Sequence, residues 1–138
     1  MLEKYDTNNH SVFLLNYHLI LVTKYRKKVI TNDILNRIQE IFKDIGSKNQ
    51  YQIDLQEINS DLDHIHIIFK AQPKSELSKF LNAFKSASSR LIQKEFPQIK
   101  TVLYNNQFWS KSFFLSTTGG VSLDILKDYV ESQGTNNK

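Results

Sequence analysis

The sequence predicts an α+β domain, an antiparallel sheet carrying helices on one face in a ferredoxin-like arrangement. Three observations lead there. The apolar pattern switches period in the order strand, helix, strand, strand, helix, strand, helix. Two of the strands follow one another closely enough to form an antiparallel hairpin. The 138 residues have the length of one domain, with no internal repeat and no linker.

Each element has its own signal. Val12 to Thr23 is dense in Val, Ile, Leu, Phe and Tyr, interrupted by Tyr17 and His18, and suits a long buried strand. Thr31 can cap a helix whose apolar positions Ile34, Leu35, Ile38, Ile41, Phe42 and Ile45 recur at three- and four-residue spacing and end near Gly46. From Tyr51 to Asn59 the pattern alternates, with Tyr51, Ile53, Leu55 and Glu57 on one face and Gln52, Asp54, Gln56 and Ile58 on the other. A strand resumes from His64 to Ala71. Pro73 and Ser75 open a second helix through Leu77, Phe80, Leu81, Phe84, Leu91 and Ile92, stopped near Pro97. Its Ser86 to Ser89 run is poor in helix formers, so something other than local propensity must hold it. Phe108 to Ser116 reads as an aromatic strand, Gly119-Gly120 breaks it, and Val121 to Gln133 is helical. One domain is expected over 1–138, with 1–10 and 134–138 flexible.

Composition narrows the function classes. The chain has no cysteine, which excludes disulfides, zinc-thiolate sites and thiol nucleophiles. Met1 to His10 lacks the apolar core of a signal peptide, and no apolar run approaches the roughly 20 residues of a membrane span, so a cytoplasmic protein with no membrane partner is expected. The net charge of +4 suits a polyanionic partner without identifying one. Lys24, Arg26, Lys27 and Lys28 form one cationic cluster around Tyr25, and Lys79, Lys85 and Arg90 punctuate the second helix. These cations, with Tyr25 and Trp109 as stacking surfaces, are the candidate contacts to single-stranded DNA. A solvated surface and a buried Phe108-Trp109 pair are the plain alternatives.

The strongest chemical signal is Asp63-His64-Ile65-His66. On a strand, Ile65, Ile67 and Phe69 face the core while His64 and His66 become neighbours on the other side, where two neutral imidazoles can hold a divalent metal. Asp63 is expected to point away with Ile65. In the last helix, Leu123, Leu126 and Val130 form the core stripe, and Tyr129 and Gln133, four residues apart, project together along its border. A phenol beside a metal can attack phosphorus and conserve the ester energy as phosphotyrosine. Read singly, the histidines fit an open sheet face, and Tyr129 fits an amphipathic boundary.

Together these segments resemble the single-tyrosine HUH transposases of the insertion sequence 200/605 type. The resemblance runs from about Tyr17 to Gln133, carried by Tyr17–Arg26, Asp63–His66, Phe84–Arg90, Phe108–Ser110 and Tyr129–Gln133. It implies an RRM-like HUH nuclease fold, with Tyr129 as nucleophile and His64, His66 and Gln133 as ligands of Mg2+ or Mn2+. The implied activity is cutting and rejoining single-stranded transposon ends that carry DNA hairpins. The implied assembly is a homodimer in which the tyrosine helix of one subunit can serve the histidines of the other, with Gly119-Gly120 as a hinge. A hairpin-binding relative that moves no DNA is the competing reading.

Overall fold

In a computed structural model describing residues 14–72, 75–117 and 123–136, the chain forms β1 (Leu15–Val22), α1 (Asn32–Gly46), β2 (Asp54–Asp61), β3 (His64–Ala71), α2 (Leu77–Glu95), β4 (Phe114–Thr117) and α3 (Leu123–Asn136). The sheet is four-stranded, in the order β2-β3-β1-β4, and every neighbouring pair is antiparallel. This is the predicted ferredoxin-like architecture. The histidine strand β3 and the apolar strand β1 lie at its centre, in a register that sets Ile20 opposite His66 and Val22 opposite His64.

Two of the helices share one face and the third does not. Tyr17, Leu19 and Leu21 of β1 and Ile65, Ile67 and Phe69 of β3 pack with Ile34, Ile38, Ile41 and Phe42 of α1 and Phe80, Leu81 and Phe84 of α2. The centre of this layer is aromatic. Phe42 meets Phe80, Phe84 and Phe69 at ring separations of 5.0, 5.2 and 5.7 Å, the first two edge-to-face. Outside it, the Arg37 guanidinium on α1 grips both carboxylate oxygens of Glu95 on α2, at 2.7 and 3.1 Å. The expectation of helices on a single face holds for α1 and α2 and needs correction for α3. Strand β1 is apolar on both sides, and its outward Ile20 and Val22 are covered by Val130 of α3.

Local chemistry explains the element ends. Thr31 caps α1, its hydroxyl accepting from the Ile34 N–H at 3.4 Å. Thr31→Ala is expected to lower the unfolding free energy by about 1 kcal/mol, measured as a lower urea midpoint at constant slope. At the other end, a Cβ on Gly46 would lie 3.2 Å from the Ile53 carbonyl oxygen, so close approach of the chain, not a left-handed turn, calls for glycine there.

Three boundaries differ from the sequence expectation. Strand β2 begins at Asp54, and Tyr51 and Ile53 are buried in the chain leading to it. Within β2 a bulge between Leu55 and Glu57 changes the parity, pairing Leu55 with Phe69 and Ile58 with Ile67. Ile58 therefore packs on the core with Leu55, and Glu57 moves to the histidine face. The predicted strand 108–116 is reduced to Phe114–Thr117. Phe108 and Trp109 are both buried, edge to face at 4.6 Å, and Trp109 makes only an isolated bridge to Thr23. Helix α3 extends to Asn136, past its predicted end. The Gly119-Gly120 hinge, Pro73 and the segment 1–10 lie outside the described residues.

A candidate active site on the outer sheet face

The alternation of β3 places His64 and His66 where the sequence predicts, half-buried on the face away from the main core. They line a cleft of about 400 Å³ with Ile20 of β1, Arg26 of the following turn, and Lys127, Val130 and Glu131 of α3.

The two imidazoles are held differently. His64 Nδ1 lies 2.8 Å from Asp63 Oδ1. Asp63 was expected to turn away with Ile65, but it belongs to the two-residue loop before β3, where strand alternation does not apply. Its carboxylate is buried and also accepts from Arg26 Nε at 2.9 Å. Burial pushes the Asp63 pKa up, but hydrogen bonds from His64 and Arg26, with the Arg26 charge, hold it below the usual carboxylate value. His66 Nε2 lies 3.0 Å from His18 Nδ1, one ring donating to the other, with the rings stacked 5.2 Å apart. Burial and the neighbouring His18 and His64 lower the His66 pKa against the opposing pull of Glu57, and this lowering favours the neutral form, the one that binds metal.

His18 was missed as a site residue. The usable signal was its parity, since His18, Ile20 and Val22 share one face of β1. In the sequence it registered only as an interruption.

Tyr129 and Gln133 come together as their spacing predicts, but against β4 and its approach. Ser112 Oγ lies 3.1 Å from Tyr129 Oη, and it donates to Gln133 Oε1 at 3.1 Å. Gln133 is buried and also accepts from Ser110 Oγ at 2.9 Å. The Tyr129 ring packs on Phe114 at 5.5 Å, and burial raises its phenol pKa despite the bond to Ser112. Neither residue lines the histidine cleft. The chain thus brings together His64 with His66, and Tyr129 with Gln133, as two separate pairs.

As metal donors, His64 offers Nε2 because Nδ1 faces Asp63, and His66 in its neutral form supplies a second imidazole. Among the described residues no three His, Asp or Glu side chains cluster as a metal site. Two neighbouring imidazoles suit a divalent ion, whereas the Gln133 amide oxygen is held by Ser110 and Ser112.

The candidate DNA contacts divide. Lys79, Arg90 and Lys28 are exposed, and Lys27 is half-buried. Lys24 is buried, with its ammonium 5.4 Å from the Tyr25 ring centroid, so it is not the open phosphate contact its sequence suggested. Tyr25 is half-buried and packs edge-on against the exposed Tyr104 at 5.7 Å. Lys85 donates to the carbonyls of Ser110 and Lys111, at 2.8 and 3.0 Å, and its burial lowers its pKa. Trp109 is a correction. It is 7% exposed and its indole N–H donates to Ser88 Oγ at 2.9 Å, so no base can stack on it in this conformation. Those contacts from the 109–111 segment also supply what the serine-rich stretch of α2 required. Among the described residues no helix is long and apolar enough to cross a membrane.

Both the sequence and the fold match known proteins. Residues 11–133 match the family described as Transposase IS200 like. The ISDra2 transposase TnpA of Deinococcus radiodurans is 30% identical over 122 residues, covering 88% of this chain and 86% of that protein. The transposase for insertion sequence element IS200 of Salmonella typhimurium is 25% identical over 124 residues, covering 90% and 80%. A crystal structure of a Deinococcus radiodurans R1 protein described as a transposase superposes with a TM-score of 0.80 at 27% identity, covering 93% of this chain and 97% of that one. The REP-associated tyrosine transposase bound to a REP hairpin shares the fold, with a TM-score of 0.54 at 8% identity over 91% of this chain and 68% of that one. With the family matched across most of its length, this chain belongs to the IS200-like transposases.

Proposed function

We propose that this transposase cuts and rejoins single-stranded DNA at transposon ends through a 5'-phosphotyrosine on Tyr129. In this reading His64, His66 and Gln133 hold Mg2+ or Mn2+, subterminal DNA hairpins are recognised, and the working unit is a homodimer. The observation that carries it is the bond of one serine, Ser112, to both Tyr129 and Gln133. Tyr129 and Gln133 are carried on one helix, α3, whose Lys127, Val130 and Glu131 line the histidine cleft.

The phenol gives up its proton to solvent as its oxygen attacks phosphorus, the Oη–P bond forms, and the bond to the 3' oxygen breaks. The leaving 3' oxygen takes up a proton and departs as a hydroxyl. The 5'-phosphate stays on the enzyme as an ester until another 3'-hydroxyl displaces the tyrosine, so no external energy source is needed. A bound ion supplies charge stabilisation to the phosphate oxygens. The exposed Lys79 and Arg90 of α2, with Lys27 and Lys28, supply cationic contacts to the DNA backbone. The REP-bound neighbour holds a hairpin on the same fold, which supports a hairpin as the recognised element.

In this reading the site is shared between subunits, the Tyr129 helix of one chain serving the histidines of the other. Hairpin-bearing single-stranded DNA from the flanks of the gene, incubated with protein and Mg2+ or Mn2+, is expected to yield a protein-DNA adduct that survives denaturation. Tight hairpin binding with no adduct would overturn the strand-transfer reading in favour of a binding module. Mixing Tyr129→Phe subunits with His64→Ala subunits is expected to restore adduct formation, because each mixed dimer then holds one intact shared site. Verified mixed dimers without activity would place the whole site in one subunit.

A further inference from the structure

We propose that Asp63 is a positioning residue that fixes His64 toward the metal and Arg26 toward the scissile phosphate at the same time, an inference that rests on the strand-transfer reading. The Asp63 carboxylate is buried, and its two oxygens go to different partners, Oδ1 to His64 Nδ1 at 2.8 Å and Oδ2 to Arg26 Nε at 2.9 Å. A carboxylate shared in this way sets the two groups relative to one another.

On His64, the proton sits on Nδ1 to meet the carboxylate, which leaves the Nε2 lone pair as the metal-binding atom and fixes the ring rotation. On Arg26, Nε is the anchored nitrogen. Neither Nη group has a partner among the described residues, the side chain is 35% exposed, and Arg26 lines the same cleft as His64 and His66. A guanidinium held from behind by Nε presents two parallel N–H donors, the geometry that matches two oxygens of a phosphate.

The backbone supports the same placement independently. Tyr25 and Arg26 are consecutive non-glycine residues in the left-handed region, with φ of 58° and 52°. Thr23 ties this turn to the hairpin loop. Its N–H donates to the Asp63 carbonyl at 3.0 Å, and its hydroxyl lies 2.8 Å from the Lys27 carbonyl and 3.1 Å from that of Asp63. Strained conformations persist where the surroundings over-determine them, and here the result is an arginine delivered to the cleft. A pair that only stapled the turn to the hairpin would need neither partner in the cleft, and both line it.

Three variants test this, Asp63→Ala, Asp63→Asn and Arg26→Gln, each checked for folding by circular dichroism. The first readout uses Mn2+ alone, its binding followed by electron paramagnetic resonance without DNA. Asp63→Ala is expected to weaken Mn2+ binding by about 10–100-fold, while Arg26→Gln leaves it unchanged. If Asp63→Ala does not fold, the volume-conserving Asp63→Asn is read in its place, and about a tenfold weakening is expected because an amide cannot accept from both donors.

The second readout is affinity for the end oligonucleotide that forms the adduct, with its natural scissile phosphate or with a neutral methylphosphonate there. Arg26→Gln is expected to bind the natural strand about tenfold more weakly than the wild type, and to match the wild type on the methylphosphonate. Wild-type Mn2+ affinity in folded Asp63 variants, or an Arg26→Gln loss that is equal on both strands, overturns the inference. Failure of the wild-type protein to form any adduct overturns the strand-transfer reading instead, and the Mn2+ arm still decides the role of Asp63 toward His64.

Discussion

Tyr129→Phe is expected to reduce covalent adduct formation by about 10⁴-fold or more, the scale on which enzymes lose rate when a nucleophile is removed, with hairpin binding intact. The structure makes this a clean substitution. The ring contact with Phe114 at 5.5 Å stays, and among the described residues the phenol loses only Ser112 at 3.1 Å, so α3 should dock as before. Gel-resolved adduct with labelled DNA reads the chemistry, and a mobility shift reads binding. Cleavage at the wild-type rate by Tyr129→Phe would remove the nucleophile assignment.

The same phenol sets a pH dependence. Burial lifts its pKa above the ordinary value of 10.0, and the Ser112 bond opposes this only in part. The reactive phenolate is therefore a minor form at neutral pH that grows about tenfold per pH unit as pH rises toward that pKa. Single-turnover cleavage should climb from pH 7 to pH 9 without a plateau. A rate that levels off below pH 8 would show that loss of this proton is not limiting.

Phe42→Ala is expected to have the largest effect on stability, a loss of about 3–5 kcal/mol. Phe42 is fully buried on α1 and meets Phe69 of β3 and Phe80 and Phe84 of α2, so its ring joins three elements. Neighbours anchored on a sheet and a long helix cannot collapse far into the space left behind. Against a typical total stability of about 5–15 kcal/mol, the variant should sit at the edge of folding. Urea unfolding followed by circular dichroism measures this, with Leu62→Ala at an exposed position as the control, expected to stay within about 0.5 kcal/mol. A Phe42→Ala loss below about 1 kcal/mol would contradict the packing described.

Much of the fold was legible because it follows periodicity. Helix α1 with its Thr31 cap, strand β3 from His64 to Ala71, and the sheet hairpin all obey a single local rule. Misreadings arose where a residue left its local period. The bulge after Leu55 turns Ile58 inward and Glu57 outward, and nothing in an alternating sequence marks one extra residue. Asp63 sits in a loop where its partners, Arg26 and His64, are set by tertiary contact. Trp109 looked available beside polar residues, but its N–H found a hydroxyl on a helix distant in sequence. For the site itself, the pairing of His64 with His66 and of Tyr129 with Gln133 could be read from spacing. The contributions of His18 and Ser112 could not, because they depend on strand register and on how α3 docks.

The apolar character of β1 on both sides leaves the strand with a problem of orientation. Hydrophobicity alone barely separates the set Tyr17, Leu19 and Leu21 from the set His18, Ile20 and Val22, and a shift of one residue would exchange them. Such a shift would carry the His18 imidazole into an aromatic interior with no polar partner, a transfer costing about 1–3 kcal/mol. His18 therefore acts as a key that fits β1 into the sheet one way round, and the same pairing that satisfies its ring against His66 keeps the outer face of the sheet outermost.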